Sequence, residues 1–241
     1  MLIGLPLEEL AEQLAPLPRF RAAQIFKWIA SGVSSFDEMN NLPLELRKEL
    51  AERYTLRTHA AVETHRGSDG TVKLTIQLAD GAWIEAVLLA DGKRYTACLS
   101  TQAGCPAGCV FCKTGAAFLR NLDSGEIVEQ LLLLRDIADI SNIVIMGMGE
   151  PLLNLAELRR ALAVITGKEG MRFSRRRITV STCGIAAGIA DLADNGPTVR
   201  LALSLTTADE GLRRRLMPIT AKEPLGRVKE ALRYFQDSDG G

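Results

Sequence analysis

Residues 98–115 have the sequence "CLSTQAGCPAGCVFCKTG" and hold four of the five cysteines of the chain. Three of these, Cys105, Cys109 and Cys112, crowd into eight residues as C-x3-C-x2-C, while Cys98 stands seven residues upstream. Four interpretations are open: a disulfide scaffold, a zinc site, an iron–sulfur site or a chance cluster. The N-terminal "MLIGLPLEELAEQL" is acidic where a signal peptide would be basic, so we expect a cytoplasmic protein. In that reducing compartment, clustered thiols are more often metal ligands or catalytic groups than disulfides.

The kind of metal centre follows from the number of thiols. A structural zinc ion normally takes four protein ligands, but the only histidines, His59 and His65, lie in an earlier segment. A cubane cluster held by three cysteines leaves one iron open to a substrate, which suits catalysis. We therefore favour an iron–sulfur site and keep zinc and chance as alternatives. Phe111, next to Cys112, has a ring that could pack against a bound adenine or simply against the core.

Two segments precede the cysteine loop. Residues 1–58 contain helical patterns such as "RAAQIFKWI" and predict a small helical N-terminal accessory domain. Residues 59–94 alternate apolar and polar side chains, as in "TVKLTIQL", and carry Asp-Gly pairs every eleven residues. Asp-Gly favours tight hairpin turns, so we predict a short antiparallel β-hairpin extension over this segment. Glu85 lies on its last long strand, in "AWIEAVLL".

The remaining segment, residues 95–241, alternates near-continuously apolar strands with helices four times. This rhythm is typical of a parallel α/β sheet or barrel, so we predict an α/β fold whose core is residues 95–241. Polar groups follow the predicted strands at Glu150, Ser181 and Ser204. Because α/β folds bind ligands at the carboxyl ends of their strands, we expect the site there.

Composition limits the partners. The chain has 241 residues, 47% of them hydrophobic, and its 29 basic and 29 acidic residues give a net charge of zero. Only local clusters could therefore bind RNA phosphates, and we consider "RFSRRR" (172–177) and "LRRRL" (212–216), either of which could instead be a solvated face. No apolar run approaches the roughly 18 residues of a membrane span. We expect neither DNA nor a membrane as a partner.

The ordered motifs of the chain resemble those of a known family. "CLSTQAGCPAGCVFC" at the end of a first strand resembles the radical S-adenosylmethionine (SAM) superfamily. Together with "RFRAAQIFKWIASGVSSFDEMNNLP", "WIEAVLL", "FLRNLDSGEIVEQ", "MGMGEPLLN", "ITVSTCG" and "ALSL", it resembles the RlmN/Cfr family of RNA adenine methyltransferases over essentially all 241 residues. The resemblance implies a partial (β/α)6 radical SAM barrel with about four βα units. It also implies a 4Fe–4S cluster and SAM as cofactors, 23S rRNA and tRNA as substrates, and an electron donor such as flavodoxin or ferredoxin.

The resemblance assigns roles to individual residues. The implied ligands of the 4Fe–4S cluster are Cys105, Cys109 and Cys112. The implied contacts of SAM are Phe111, Gly149, Glu150, Ser181, Ser204, Leu205 and Thr206. Thr206 stands where the family normally has histidine. Glu85 matches the family's proton acceptor, and a base is needed because substitution at an adenine ring carbon removes a hydrogen; its alternative is an ordinary solvated carboxylate.

The resemblance implies that Cys98 has a role other than binding the cluster. Family members pass the methyl group through a methylated cysteine near the C-terminus, and the counterpart of Cys98 forms a disulfide with that cysteine to release the product. The family pattern continues for roughly another hundred residues, which would hold the last strands, a further SAM contact and the methyl-carrying cysteine. We favour a fragment of a longer methyltransferase over a chain that has lost the activity. Methylation at C2 of adenine, methylation at C8, and binding without catalysis remain the alternatives.

Overall fold

The computed structural model describes residues 1–238 of the chain. The N-terminal part contains three helices: α1 (Leu7–Gln13), α2 (Arg19–Ser31) and α3 (Leu44–Arg53). It is followed by the strands β1 (His59–Arg66), β2 (Val72–Leu78), β3 (Trp83–Asp91) and β4 (Arg94–Cys98). The remainder comprises β5 (Gln102–Gly104), β6 (Phe118–Asn121), α4 (Ser124–Arg135), β7 (Asn142–Ile145), α5 (Leu155–Thr166), β8 (Ile178–Thr182), α6 (Ala186–Asn195), β9 (Arg200–Leu203), α7 (Glu210–Leu216) and α8 (Leu225–Ser238). Residues 239–241, the end of the predicted core, lie outside the described part.

One mixed sheet organises the protein. Its strand order is β1-β2-β3-β4-β7-β8-β9, antiparallel through β4 and parallel from β4 to β9. The predicted hairpins are present, and Gly70, Gly81 and Gly92 in their turns have positive φ. The predicted α/β fold with about four βα units is confirmed. The boundaries at 58/59 and 94/95 stay predictions, and β1–β3 extend the same sheet as the parallel strands.

Three elements, β5, β6 and α7, were not predicted from the sequence. A small second sheet pairs β5 with β6, and it frames the cysteine loop that runs between them. The helix α7 stands between β9 and α8, where the pattern predicted a direct connection. These elements have three, four and seven residues, which is too short for a periodic pattern of apolar side chains to identify them.

The pleat gives the sheet two different faces. On one face Ala97, Ile143 and Ile178 lie side by side across three strands, and all three are fully buried in the core. On the other face the register brings Cys98 next to Val144, and neither of these side chains is fully buried. Since side chains alternate along a strand, Glu85 lies on this second face too, two residues from Val87, the cross-strand partner of Cys98. We call this second, partly exposed surface the open face.

The N-terminal segment packs closely on the barrel helices. A side chain at Gly4 would place its Cβ 2.2 Å from the backbone nitrogen of Gly125 at the start of α4, so the two backbones touch. Glu9 forms an ion pair of 2.5 Å with Arg160 of α5. The buried carboxylate of Glu129 on α4 accepts hydrogen bonds from the backbone N–H of Thr58 (2.7 Å) and of His59 (3.1 Å). No helix within residues 1–238 combines the length and the apolarity that crossing a membrane would need.

Candidate active site

A cleft of about 430 Å³ lies at the carboxyl ends of β7, β8 and β9. Its volume falls in the range of pockets for small molecules and cofactors. The predicted site residues that line it are Cys105, Cys109, Phe111, Cys112, Gly149, Glu150, Ser181, Ser204 and Thr206. The cleft therefore brings together one loop and the ends of three strands, and Glu85, Cys98 and Leu205 are not in its lining.

The cysteine loop is held by backbone contacts at both ends. At its start, Gly104 has φ of +82° and would place a Cβ 2.1 Å from the carbonyl oxygen of Ala117, so a larger residue cannot close the loop this way. The N–H of Cys105 donates to that same carbonyl (2.8 Å). The N–H of Val110 donates to the carbonyl of Leu216 (3.0 Å), which fixes the loop to the end of α7. Phe111 is 60% exposed at the edge of the cleft.

The thiols of this loop fit a polynuclear cluster. All five cysteines are free, and no disulfide occurs among the described residues. Burial raises the pKa of the Cys105 thiol and of the Cys109 thiol. The nearby Cys112 raises the pKa of Cys109 further, and the Arg213 guanidinium lowers it in part. In residues 1–238 no three ligand-type side chains converge closely enough for one metal ion. Three free thiols that lie on one loop and line one cleft are the donor set of a cluster whose fourth iron is open to a substrate.

The turn after β7 supplies a rigid wall of the cleft. The buried carboxylate of Glu150 accepts hydrogen bonds from the backbone N–H of Cys183 (2.7 Å) and of Leu152 (3.1 Å). The N–H of Glu150 donates to the side-chain oxygen of Gln102 (2.8 Å). The carboxylate thus joins this turn to the end of β8, and Gly149 contributes backbone to the lining.

We predict that Gly149→Ala destabilises the protein by about 3 kcal/mol, because it combines backbone strain with a steric clash. Gly149 has φ of +109°, and an added Cβ would lie 2.7 Å from Cβ of Gln102. Thermal unfolding should show a decrease in Tm of about 6–12 °C. Gly81→Ala is the matched control, since Gly81 has φ of +85° with nothing within 4 Å. Equal losses of Tm in the two variants would contradict the close approach to Gln102.

The ends of β8 and β9 meet through side chains. The hydroxyls of Ser181 and Ser204 are hydrogen bonded (3.0 Å). Thr206 has φ of +63°, an uncommon conformation for a β-branched residue, and its hydroxyl donates to the sulfur of Met217 (3.1 Å). Leu205 is exposed and lies next to the cleft lining.

Glu85 and Cys98 lie on the open face rather than in the cleft. The carboxylate of Glu85 forms an ion pair of 2.8 Å with Lys73 of β2, and both side chains are nearly half exposed. Burial raises the pKa of the Cys98 thiol, and a hydrogen bond from the backbone of Met146 opposes that shift. Met146 also lines the cleft, so Cys98 borders it from the open face.

The two basic clusters differ from each other in exposure. Arg213 is fully buried and cannot contact a phosphate, whereas Arg214 and Arg215 are exposed. The exposed residues Arg175–Arg177 lie directly before β8, at the edge of the sheet opposite the cleft. Arg213 is a cleft-supporting residue that sequence reasoning missed, because three consecutive arginines indicate a solvated helix surface.

Comparison with known proteins gives the family. The sequence model described as "Radical SAM superfamily" matches residues 99–240, and "Ribosomal RNA large subunit methyltransferase N-terminal domain" matches residues 2–56. A relative from Treponema pallidum, named probable dual-specificity RNA methyltransferase RlmN, is 47% identical over 99% of this chain and 71% of its own length. The chain belongs to the RlmN family of radical SAM enzymes.

Further members of the RlmN family carry the same name. The relative from Treponema denticola is 52% identical over 97% of this chain and 68% of its own length. A relative from Thermus thermophilus is 42% identical over 95% of this chain and 67% of its own length. The crystal structure of a radical SAM methyltransferase from Sphaerobacter thermophilus matches with a TM-score of 0.92 and 39% identity, covering 99% of this chain and 73% of that one. The family resemblance is thus confirmed, and with it the 4Fe–4S cluster and SAM as cofactors of this radical SAM methyltransferase family.

Proposed function

We propose that this chain carries the cluster- and SAM-binding part of an RNA adenine methyltransferase that acts on C2 of an adenine in 23S rRNA and in tRNA. One observation carries the proposal: three free thiols and the ends of three parallel strands, distant in sequence, line a single cleft. The relatives named as RNA methyltransferases support an RNA substrate. When bound, the cluster would supply the electron that splits SAM.

In this proposal Cys105, Cys109 and Cys112 hold the cluster, and the opposite wall of the cleft holds SAM. The backbone at Gly149 and Glu150 would contact the methionine end. The hydroxyls of Ser181 and Ser204, with the 205–206 segment, would contact the ribose, and the exposed ring of Phe111 would cover the adenine. Their common position around one cleft supports these assignments.

The open face would hold the target adenine. Glu85 would accept the proton that leaves the ring carbon, and one of its oxygens stays outside the ion pair with Lys73 among the described contacts. Cys98 would act as the redox thiol that forms the disulfide with a methyl-carrying cysteine. Cys98 lies on β4, outside the cleft lining, which supports a role different from that of the three loop cysteines that would bind the cluster.

The remaining assignments complete the proposal. Residues 1–58 would form the accessory domain, 59–94 the β-hairpin extension and 95–241 the radical SAM core. The target adenine would leave its stack to reach the open face, as chemistry on a base usually requires. A flavodoxin or ferredoxin would deliver the electron. Arg214 and Arg215, near the cysteine loop, are better placed for RNA phosphates than Arg175–Arg177.

Anaerobic reconstitution tests the cluster directly. We expect about four irons and four sulfides per chain and a broad absorbance near about 400 nm. The three thiols should take up the metal with release of their protons, because ligands must be deprotonated. One zinc ion per chain without colour would contradict the proposal and favour a structural metal site.

A further inference from the structure

The most deeply buried cation of the described residues lies directly behind the cleft. Arg213 of α7 is 0% exposed and is the largest fully buried side chain there. Its guanidinium donates to the carbonyls of Cys183 (2.6 Å, Nη2) and Leu205 (3.1 Å, Nε). It also donates to the hydroxyl of Thr220 (2.7 Å, Nη1) and, more weakly, to the carbonyl of Ser204 (3.4 Å, Nη2).

All of these acceptors are neutral. Within residues 1–238 no carboxylate oxygen lies within 4.0 Å of this guanidinium. Two carboxylates on adjoining elements are engaged elsewhere: Glu150 binds the N–H of Cys183, and Glu223 binds that of Ala186 (3.4 Å). A buried charge is costly unless an opposite charge lies near it, so Arg213 lacks a counter-ion within the described protein.

The position of Arg213 indicates which group supplies that opposite charge. Its hydrogen bonds reach Cys183 and Ser204, which line the cleft, and its own carbonyl accepts from Met217, another lining residue. The same helix is fixed to the cysteine loop through Leu216 and Val110. The guanidinium therefore lies on the far side of the wall that faces three thiols.

We propose that Arg213 is a positioning residue whose buried positive charge is the counter-charge of the anionic thiolate-bound cluster and raises its reduction potential. This inference rests on the proposed function, because it requires the cluster at Cys105, Cys109 and Cys112. One electron passes from the external reductant to the cluster, so the negative charge in the cleft increases by one. A nearby cation stabilises that increase, and the low-dielectric surroundings strengthen the effect.

The test separates charge from hydrogen bonding by an anaerobic redox titration of the reconstituted protein, followed by electron paramagnetic resonance. Arg213→Gln removes the charge but keeps a hydrogen-bond donor. We expect the equilibrium constant for one-electron reduction to fall by about tenfold, a shift of about 59 mV to lower potential. Arg213→Lys keeps the charge and loses the planar fork, so it should lower Tm but keep the constant within about threefold of wild type.

Arg214→Gln is the matched control, since it removes an equal charge from the exposed side of the same helix. It should change the constant by less than about twofold, because solvent screens an exposed charge. Retention of the cluster by Arg213→Lys but not by Arg213→Gln would also support the proposed role of the positive charge. The inference is overturned if both Arg213 variants lose stability and iron alike, or if Arg213→Gln keeps the wild-type potential. If the wild-type protein takes up no iron, the proposed function and this inference are overturned together. If Arg213→Gln has normal iron and the reduction potential of the wild type, only the inference is overturned.

Discussion

Replacing Cys105, Cys109 or Cys112 with alanine is expected to reduce iron incorporation to background, whereas Cys98→Ala should retain the iron of the wild type. Each of the three thiols would bind a different iron, so two of them cannot hold a closed cluster. All three line the cleft, and Cys98 lies on β4 outside its lining. Iron and sulfide are measured per chain after anaerobic reconstitution, together with the absorbance near about 400 nm.

Two controls make this series decisive. Cys183→Ala changes the remaining cysteine, which lines the cleft but is buried and hydrogen bonded to Glu150 through its backbone N–H. It should keep its iron, because backbone contacts at this residue do not need the thiol. Thermal unfolding of the metal-free variants separates ligand loss from misfolding. Equal loss of iron in Cys98→Ala and in the three loop variants would refute the division into three ligands and one separate thiol.

Glu85→Gln is expected to slow methyl transfer by about 10²–10⁴-fold, the usual contribution of a positioned general base. Glutamine keeps the shape and can still bind beside Lys73, but it cannot accept the proton from the ring carbon. The chain spans 71% of the length of the Treponema pallidum relative, so the assay joins it to the part of that relative which it does not cover. Methylation of 23S rRNA and tRNA transcripts is followed by liquid chromatography and mass spectrometry of the released nucleosides, and retention times against the two standards distinguish C2 from C8 methylation.

Glu63→Gln is the matched control for this experiment. Glu63 pairs with Thr75, and Thr75 pairs with Glu85, so all three share the open face in one row across the sheet. Glu63 is two strands away from Glu85, roughly 10 Å, too far to reach the same proton. It should retain activity within about twofold, and both variants should bind SAM like the wild type. Normal turnover by Glu85→Gln would reject its role as the base.

The fold was predictable where local signals agree with tertiary structure. The alternation of apolar strands and helices predicted for residues 95–241 is present in the structure, and the Asp-Gly pairs mark the hairpin turns. Continuous apolar strands predicted the parallel part of the sheet, although only one of its faces is fully buried and the open face is partly exposed. The helix α7 was not predicted because its seven residues, "EGLRRRL", are too few to show the apolar pattern of an amphipathic helix.

The site was only partly predictable. Spacing alone identified three thiols on one loop, the strand ends indicated Ser181 and Ser204, and the family resemblance added Gly149; all of them line one cleft. The burial of Arg213 depends on carbonyls at residues 183, 204 and 205, which no local pattern connects to α7. The ion pair between Glu85 and Lys73 likewise depends on the register of β2 and β3.

The most direct test of the central claim is the reductive cleavage of SAM by this chain after anaerobic reconstitution. With dithionite as the reductant, SAM accepts one electron and its C5′–S bond breaks, and the nucleoside fragment then takes up a hydrogen atom. We predict that chromatography detects methionine and 5′-deoxyadenosine in equal amounts, and that Cys109→Ala forms neither. If SAM stays intact in the presence of a fully loaded, reduced cluster, the claim that this cleft binds SAM for reductive cleavage is contradicted.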